Sequence, residues 1–266
     1  MGVPQGSNLG PLLFLLFVND FPTCLQYTSC NLFADASAIY CCARTVNELE
    51  TSLQSDVNRA IKWFHDNLLT VNINKSSAMT IGTRQRLINQ CALKITAAGE
   101  TLNALNETKY LGVTIDNNLS WNQHISNLAT KVSPIISVLA KLKYKLTRDQ
   151  LNTIYQSIIQ PHFDYCISVW GHTSKCNIST LQKLQNRADR TITGQYDWNI
   201  SPKCLITELG WMNINQRMKY FTTLLTYKSL HKNAPSYMSD RINIKNTTYH
   251  TRNTDTINLT VPKPIV

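Results

Sequence analysis

Apolar positions along this chain follow two kinds of spacing, and the change comes near residue 120. The run LGPLLFLLFV, Leu9 to Val18, is apolar almost without interruption, yet at ten residues it is too short to span a bilayer. It predicts a buried helix from about Leu9 to Phe21, with Leu12, Leu13, Leu16 and Phe17 inside and Pro22 at its end. In NLFADASAIY, β-type runs flank Asp35 and predict a hairpin that presents one carboxylate at its tip. Thr45-x-x-Glu48 is a capping box, and Leu49, Leu53, Val57, Ile61 and Phe64 follow at helical spacing. That helix should expose Glu50, Asn58 and Lys62. LLTVNINKSSAMTIG reads as strand, turn at Asn74-Lys75-Ser76, strand, and KYLGVTID from Lys109 to Asp116 as one further strand.

Past residue 120 the period is helical. Helices are expected over His124 to Tyr144, over Thr147 to Val169 behind the capping box Thr147-x-x-Gln150, and behind a second box, Ser179-x-x-Gln182. From Asn243 onward the Thr- and Asn-rich chain loses periodicity and predicts loop or weak strand. The fold class is therefore α+β, with mixed structure over 1–120, helical regions over 121–172 and 173–240, and an irregular tail over 241–266.

Composition narrows the partners. In 266 residues, 26 Lys and Arg against 16 Asp and Glu leave a net charge of +10, which favours a polyanion such as nucleic acid. Eight cysteines without a CxxC pair or zinc-ligand spacing indicate neither a metal knuckle nor a disulfide framework. No basic segment precedes the apolar run and no small-residue cleavage site follows it, so the expectation is an intracellular protein, cytoplasmic or nuclear, without a membrane span.

Taken in order, GVPQGSNLGPLLFLLFVNDFP, LFADASAIY, LLTVNINKS and TKYLGVTIDNNLSWNQHI resemble the reverse transcriptases of non-LTR (LINE-type, jockey-like) retrotransposons. Downstream, IYQSIIQPHFDYCISVWG, LQKLQNRADRTITG, LGWMNINQR and HTRNTDTINLTVP are similar to the region that follows the polymerase core in that family. The resemblance implies a partial polymerase palm over 1–120 (antiparallel sheet with helices), thumb-like helices over 121–172 and a C-terminal helical region over 173–240. It also implies a truncated copy, because the family's fingers and first palm half precede the Pro-Gln-Gly motif that here begins at Pro4.

In such polymerases two Mg²⁺ ions activate the primer end and stabilise the leaving group, and carboxylates must hold both. Where the family hairpin carries Phe-Ala-Asp-Asp, this chain has Phe33-Ala34-Asp35-Ala36, so Asp35 is the one metal-binding and catalytic carboxylate the resemblance leaves. One carboxylate is too few for tight, fixed coordination, and the chain alone is expected to be inactive and to hold Mg²⁺ weakly. The resemblance further implies contact with nucleotide and template at Gln5 and Gly6, a pyrophosphate-facing cation at Lys75, and a primer-gripping segment at Tyr110, Leu111 and Gly112. On residue type alone Gln5-Gly6 also reads as a turn before a helix, a solvated turn lysine is the commoner case for Lys75, and Tyr110-Leu111-Gly112 is equally good core.

Two cationic groups complete the candidates. Lys183, Arg187 and Arg190 recur at i, i+4 and i+7 opposite Leu181, Leu184, Ala188 and Ile192, a stripe suited to tracking phosphates or to a solvated face. Lys141, Lys143, Lys145 and Arg148 cluster where two helices meet, which suits a thumb gripping duplex and equally suits cations at a helix C-terminus. Three readings stay open: an enzyme by descent acting on RNA and DNA, with a full-length element polymerase as candidate partner; a non-enzymatic nucleic-acid-binding remnant; and an unstable product of a decayed element.

Overall fold

The computed structural model describes residues 6–34, 36–88, 93–197, 199–240, 242 and 259–260. The chain divides into two compact units, residues 1–119 and 120–266. The whole is α+β, mixed helix and strand in the first unit and helical in the second.

In the first unit, α1 (Gly10–Phe17) carries Pro11 in its first turn, where the missing amide costs nothing. The expected burial of this helix is corrected: Leu12, Leu13, Leu16 and Phe17 are 55, 46, 65 and 44% exposed. Periodicity sets the helix, but burial depends on what packs on it. Its C-terminal end meets Trp63, whose ring lies 6.3 Å from that of Phe17. The helix also stops earlier than expected, and Pro22 instead opens a 3₁₀ turn over Phe21–Cys24. Phe21, 1% exposed, wedges against Trp63 and Phe64 at 5.2 and 5.0 Å.

The hairpin is present. Strands β1 (Ser29–Phe33) and β2 (Ala36–Tyr40) pair antiparallel from Ser29↔Tyr40 to Phe33↔Ala36, and Ala34 just past β1 has φ 50°. Helix α2 (Val46–Asp66) begins at the expected box, with the Thr45 hydroxyl accepting from the Glu48 amide and the Glu48 carboxylate from the Thr45 amide. Its Val46, Leu49, Leu53 and Val57 pack on Ala78, Leu93 and Ile95. Asn58 and Lys62 are exposed, but Glu50 is half-buried because its carboxylate accepts from the Lys94 amide at 2.8 Å. Gln54 likewise accepts from the Thr96 amide and donates to the Thr96 carbonyl, both at 2.8 Å. Polar side chains of a helix thus serve as hydrogen-bond partners for a short extended segment.

The turn near Lys75 is a 3₁₀ turn, Ile73–Lys75, capped by the Asn72 side chain. The strand expected before it does not form, and the one after it, β3 (Ser77–Ala78), is two residues long. After α3 (Arg84–Ile88), β4 (Thr96–Ala97) and β5 (Glu100–Thr101) pair antiparallel, while β6 (Asn103–Ala104) pairs with β3 in parallel. The single strand expected over Lys109–Asp116 instead turns back at Leu111-Gly112 and forms most of a hairpin, β7 (Glu107–Tyr110) and β8 (Val113–Asp116). Leu111 and Gly112 take φ 46° and 85°, and glycine's freedom at positive φ folds the run back on itself.

One buried acid fastens the approach to the first hairpin. Asp56 on α2 is fully buried, and its carboxylate accepts from the amides of Gln26, Tyr27 and Thr28 and from the Thr28 hydroxyl, at 2.7 to 3.1 Å. Burial alone would raise its pKa, but the bonds from Tyr27, Gln26 and Thr28 outweigh it and hold the carboxyl below its ordinary value. Asp56→Ala should therefore cost about 3 kcal/mol or more, because several amides lose their acceptor together. Hydrogen exchange at Gln26, Tyr27 and Thr28 should accelerate in the variant, and unchanged protection there would show that the carboxylate holds nothing.

In the second unit, α4 (Asn122–Leu142) buries His124, Ile125, Leu128, Val132, Ile136 and Leu139 at helical spacing. Helix α5 (Arg148–Ile154) opens at the expected Thr147/Gln150 box. The continuous helix expected to Val169 is corrected. A π-helical turn, Tyr155–Ile159, leads into α6 (Gln160–Asp164), and the chain breaks at Cys166, with φ 54°, before α7 (Ile167–Trp170). Pro161 in the first turn of α6 has no amide to donate to the preceding turn, which is where a regular ladder fails.

Helix α8 (Lys175–Thr193) starts behind Ser174, not Ser179. Ser174 has extended ψ and accepts from the Asn177 amide, so it takes the cap first and leaves Ser179 and Gln182 inside the helix. Next come α9 (Pro202–Glu208), α10 (Ile214–Leu230) behind an Asn213/Gln216 capping box, and α11 (Ser236–Ser239). One hydrophobic cluster running from Ile125 to Ile214 joins the helices on either side of residue 172. At its centre Tyr155 stacks on Trp211 at 3.7 Å and bonds Gln185, while the Trp211 indole donates to Asn152. The tail read as loop from Asn243 lies outside the described residues apart from Leu259 and Thr260. Among the described residues the cysteines are free and no helix is long and apolar enough to cross a membrane.

Candidate nucleic-acid interface

The sequence motifs of the first unit fall on turns. Gly6, with φ 84°, forms the turn before α1, and open space surrounds its missing Cβ. Gln5 and Asp35 lie outside the described residues. The strands around Asp35 do show that Ala36, opposite Phe33, is the first residue of β2. Lys75 ends its 3₁₀ turn with its side chain exposed. Tyr110 is half-buried at the end of β7, and Leu111 and Gly112 are the exposed turn of that hairpin. The two hairpins are separate two-stranded ladders.

On α8, Lys183 and Arg187 face solvent but Arg190, 9% exposed, does not. The Arg190 guanidinium donates to the carbonyls of Asp197 and Ile200, tying the α8–α9 connection to the helix. Arg187 also does structural work, bonding Ser133 and Ser137 of α4 at 3.2 and 2.8 Å. The solvent-facing remainder of the stripe is thus Lys183 with the outer edge of Arg187.

The second cationic group sits at the α4–α5 turn. Lys141 and Lys145 are exposed. Lys143 lies over two rings, 4.9 Å from Tyr144 and 4.6 Å from Tyr196, and its ammonium donates to the Tyr196 hydroxyl at 2.9 Å. That hydrogen bond raises the lysine pKa and keeps the group charged. Arg148 pairs with Glu208 at 2.7 Å, so part of its charge is already met. Neither tyrosine was singled out by the sequence reading. Tyr144 stood in plain view within the lysine-rich KYK, whereas Tyr196 reaches the site from 53 positions along the chain.

Residues 1–115 match the family described as reverse transcriptase (RNA-dependent DNA polymerase). The probable RNA-directed DNA polymerase from transposon BS of Drosophila melanogaster is 30% identical over 204 residues, covering 72% of this chain and 22% of that protein. The RNA-directed DNA polymerase from mobile element jockey of Drosophila funebris is 30% identical over 208 residues, 73% of this chain and 22% of the relative. The Pol polyprotein of the type-1 retrotransposable element R1 2 of Nasonia vitripennis is 24% identical over 77% of this chain and 55% of its own length. The chain thus spans about a fifth of the length of the first two. No solved structure matches. Residues 1–115 match the reverse transcriptase family, and about three quarters of the chain is similar to the RNA-directed DNA polymerases of the non-LTR retrotransposons jockey and BS and to the Pol polyprotein of an R1 element.

Proposed function

We propose that this chain serves as the palm-hairpin, thumb and following helical region of an RNA-directed DNA polymerase, holding template and primer through backbone contacts. On this reading residues 1–120 are palm, 121–172 thumb-like and 173–240 a helical extension. Gln5, Gly6 and Lys75 would face the nucleotide, and Tyr110, Leu111 and Gly112 the primer end. Phosphates would meet Lys141, Lys143, Lys145, Arg148, Lys183 and Arg187, with Arg190 bracing the connection behind them. The observation that carries the reading is the antiparallel pairing of Ser29–Phe33 with Ala36–Tyr40 inside the family-matched segment.

The same hairpin limits the chemistry. Mg²⁺ requires several oxygen ligands in octahedral array. Asp35 supplies one carboxylate, and Ala36, the strand residue paired with Phe33, supplies a methyl group where a second carboxylate would be needed. These residues do not fit a two-metal centre, and we assign no metal-dependent step to the chain alone. A nucleic-acid-binding role without catalysis is the second reading, favoured by that alanine together with the +10 charge.

Primer extension tests this directly. The 266-residue chain should incorporate no nucleotide with Mg²⁺ or Mn²⁺, and Ala36→Asp alone should not restore activity. Joined behind the preceding region of a jockey-type relative, the Ala36→Asp form should extend a primer, with the Ala36 form lower by about 10³-fold or more. Metal-dependent extension by the chain itself would sink the proposal. Binding of an RNA–DNA hybrid should weaken with salt, and Lys183→Ala with Arg187→Ala should flatten that slope by roughly one unit per lost phosphate contact.

A further inference from the structure

We propose that the surface formed by Lys143, Tyr144 and Tyr196 is a site for single-stranded nucleic acid, in which an unpaired base stacks on tyrosine while flanking phosphates meet Lys141 and Lys145. The inference rests on the reading that the helical unit contacts nucleic acid and names which form of it this surface takes.

Tyr144 is 83% exposed and Tyr196 51% exposed, so each leaves a large ring in water. The Lys143 ammonium lies 4.9 and 4.6 Å from the two ring centroids and donates to the Tyr196 hydroxyl, so one cation joins both rings. That cation also keeps its own charge at the surface. Together with Arg148 and Thr193, these residues line a depression of about 300 Å³, at the small end of the range that holds small ligands.

Exposed rings interleaved with cations are the chemistry of single-strand platforms, since every base has a face to stack and every linkage a charge to neutralise. A duplex would leave the rings idle, because its base faces are already stacked inside. Arg148 contributes less than its charge implies, since Glu208 pairs with it and Asp149 stands beside it. Lys141 and Lys145 therefore set the salt dependence, with an expected slope of about −1.4 for two contacts to a single strand.

The test is fluorescence anisotropy of the full chain with labelled oligo-dT, oligo-rU and a duplex, each of about 15 nucleotides, near the upper site size of a single-strand module. Tyr144→Ala with Tyr196→Ala should weaken single-strand binding about tenfold or more, leave duplex binding within about twofold, and leave the melting temperature unchanged. Tyr144→Phe should bind as the parent does, because the stacking face survives. Tighter binding of either oligo-dT or oligo-rU supports the site and identifies the preferred strand. Equal loss on single strand and duplex, or no loss on either, overturns it. Binding of duplex without single strand removes this inference and leaves the proposed function standing, whereas binding of neither removes both. Tyrosine-dependent capture of polyglutamate that displaces oligo-dT would also overturn it, in favour of an acidic protein partner.

Discussion

Asp189→Asn should stabilise the helical unit by up to about 4 kcal/mol at pH 8 and should remove the part of the pH dependence of its stability that this group causes between about pH 4 and 7. Asp189 lies on α8 with no exposed surface, and neither carboxylate oxygen finds a hydrogen-bond partner among the described residues. Burial pushes its pKa from the ordinary 3.8 up to about 7, and neighbouring Arg190 lowers it by less than burial raises it. Between those two values the folded chain binds a proton that the unfolded chain has released. The contribution of this group is therefore most favourable below about pH 4, worsens by about 1.4 kcal/mol per unit as pH rises, and levels off above about pH 7. Urea unfolding of parent and variant at several pH values measures the difference. Parallel profiles in the two proteins would mean that Asp189 has found a partner in the folded state.

Breaking the ion pair between α6 and α10 should have a comparable effect of the opposite sign. The Arg217 guanidinium grips Asp164 with two parallel hydrogen bonds, and the two side chains are only 10 and 18% exposed. Arg217→Met should cost about 3–5 kcal/mol, because it leaves a carboxylate largely out of water without its cation. Asp164→Leu combined with Arg217→Met should recover much of that loss, since a well-packed apolar pair can replace a buried ionic one at little net cost. A double variant as unstable as the sum of both single variants would show that the two residues do not act as a pair.

Asp56, Asp164 and Asp189 are the same residue type, yet their roles diverge. Asp56 collects amides from residues 26–28, so its contribution is present above the ordinary carboxylate pKa and fades as acid protonates it. Asp164 meets an arginine 53 positions away, whereas Asp189 is desolvated with only its chain neighbour Arg190 to offset the burial. Helical periodicity marks all three merely as polar positions. What separates them is the distant segment that the fold delivers to each.

The features legible in the sequence were those resolved within a few residues. Thr45 with Glu48 and Thr147 with Gln150 form caps within one helical turn, whereas Ser179 with Gln182, the same local pattern, is passed over because Ser174 starts its helix first. The first hairpin followed from the two β-type runs that flank Asp35, and the amphipathic face of α2 from its spacing. The order of the motifs was enough to place the chain beside the non-LTR reverse transcriptases. Composition showed a cationic protein but not where its cations act. Decisions that compare distant segments belonged to the tertiary structure alone. α1 is as apolar as a core helix and yet exposed, because burial is a property of a pair of surfaces and one sequence run describes one of them. Arg190 lies in line with Lys183 and Arg187 but is drawn inward by two carbonyls of the chain that follows it. Lys143 is one lysine of several in its stretch until Tyr196, folded back beside it, turns a charge into an aromatic and cationic surface.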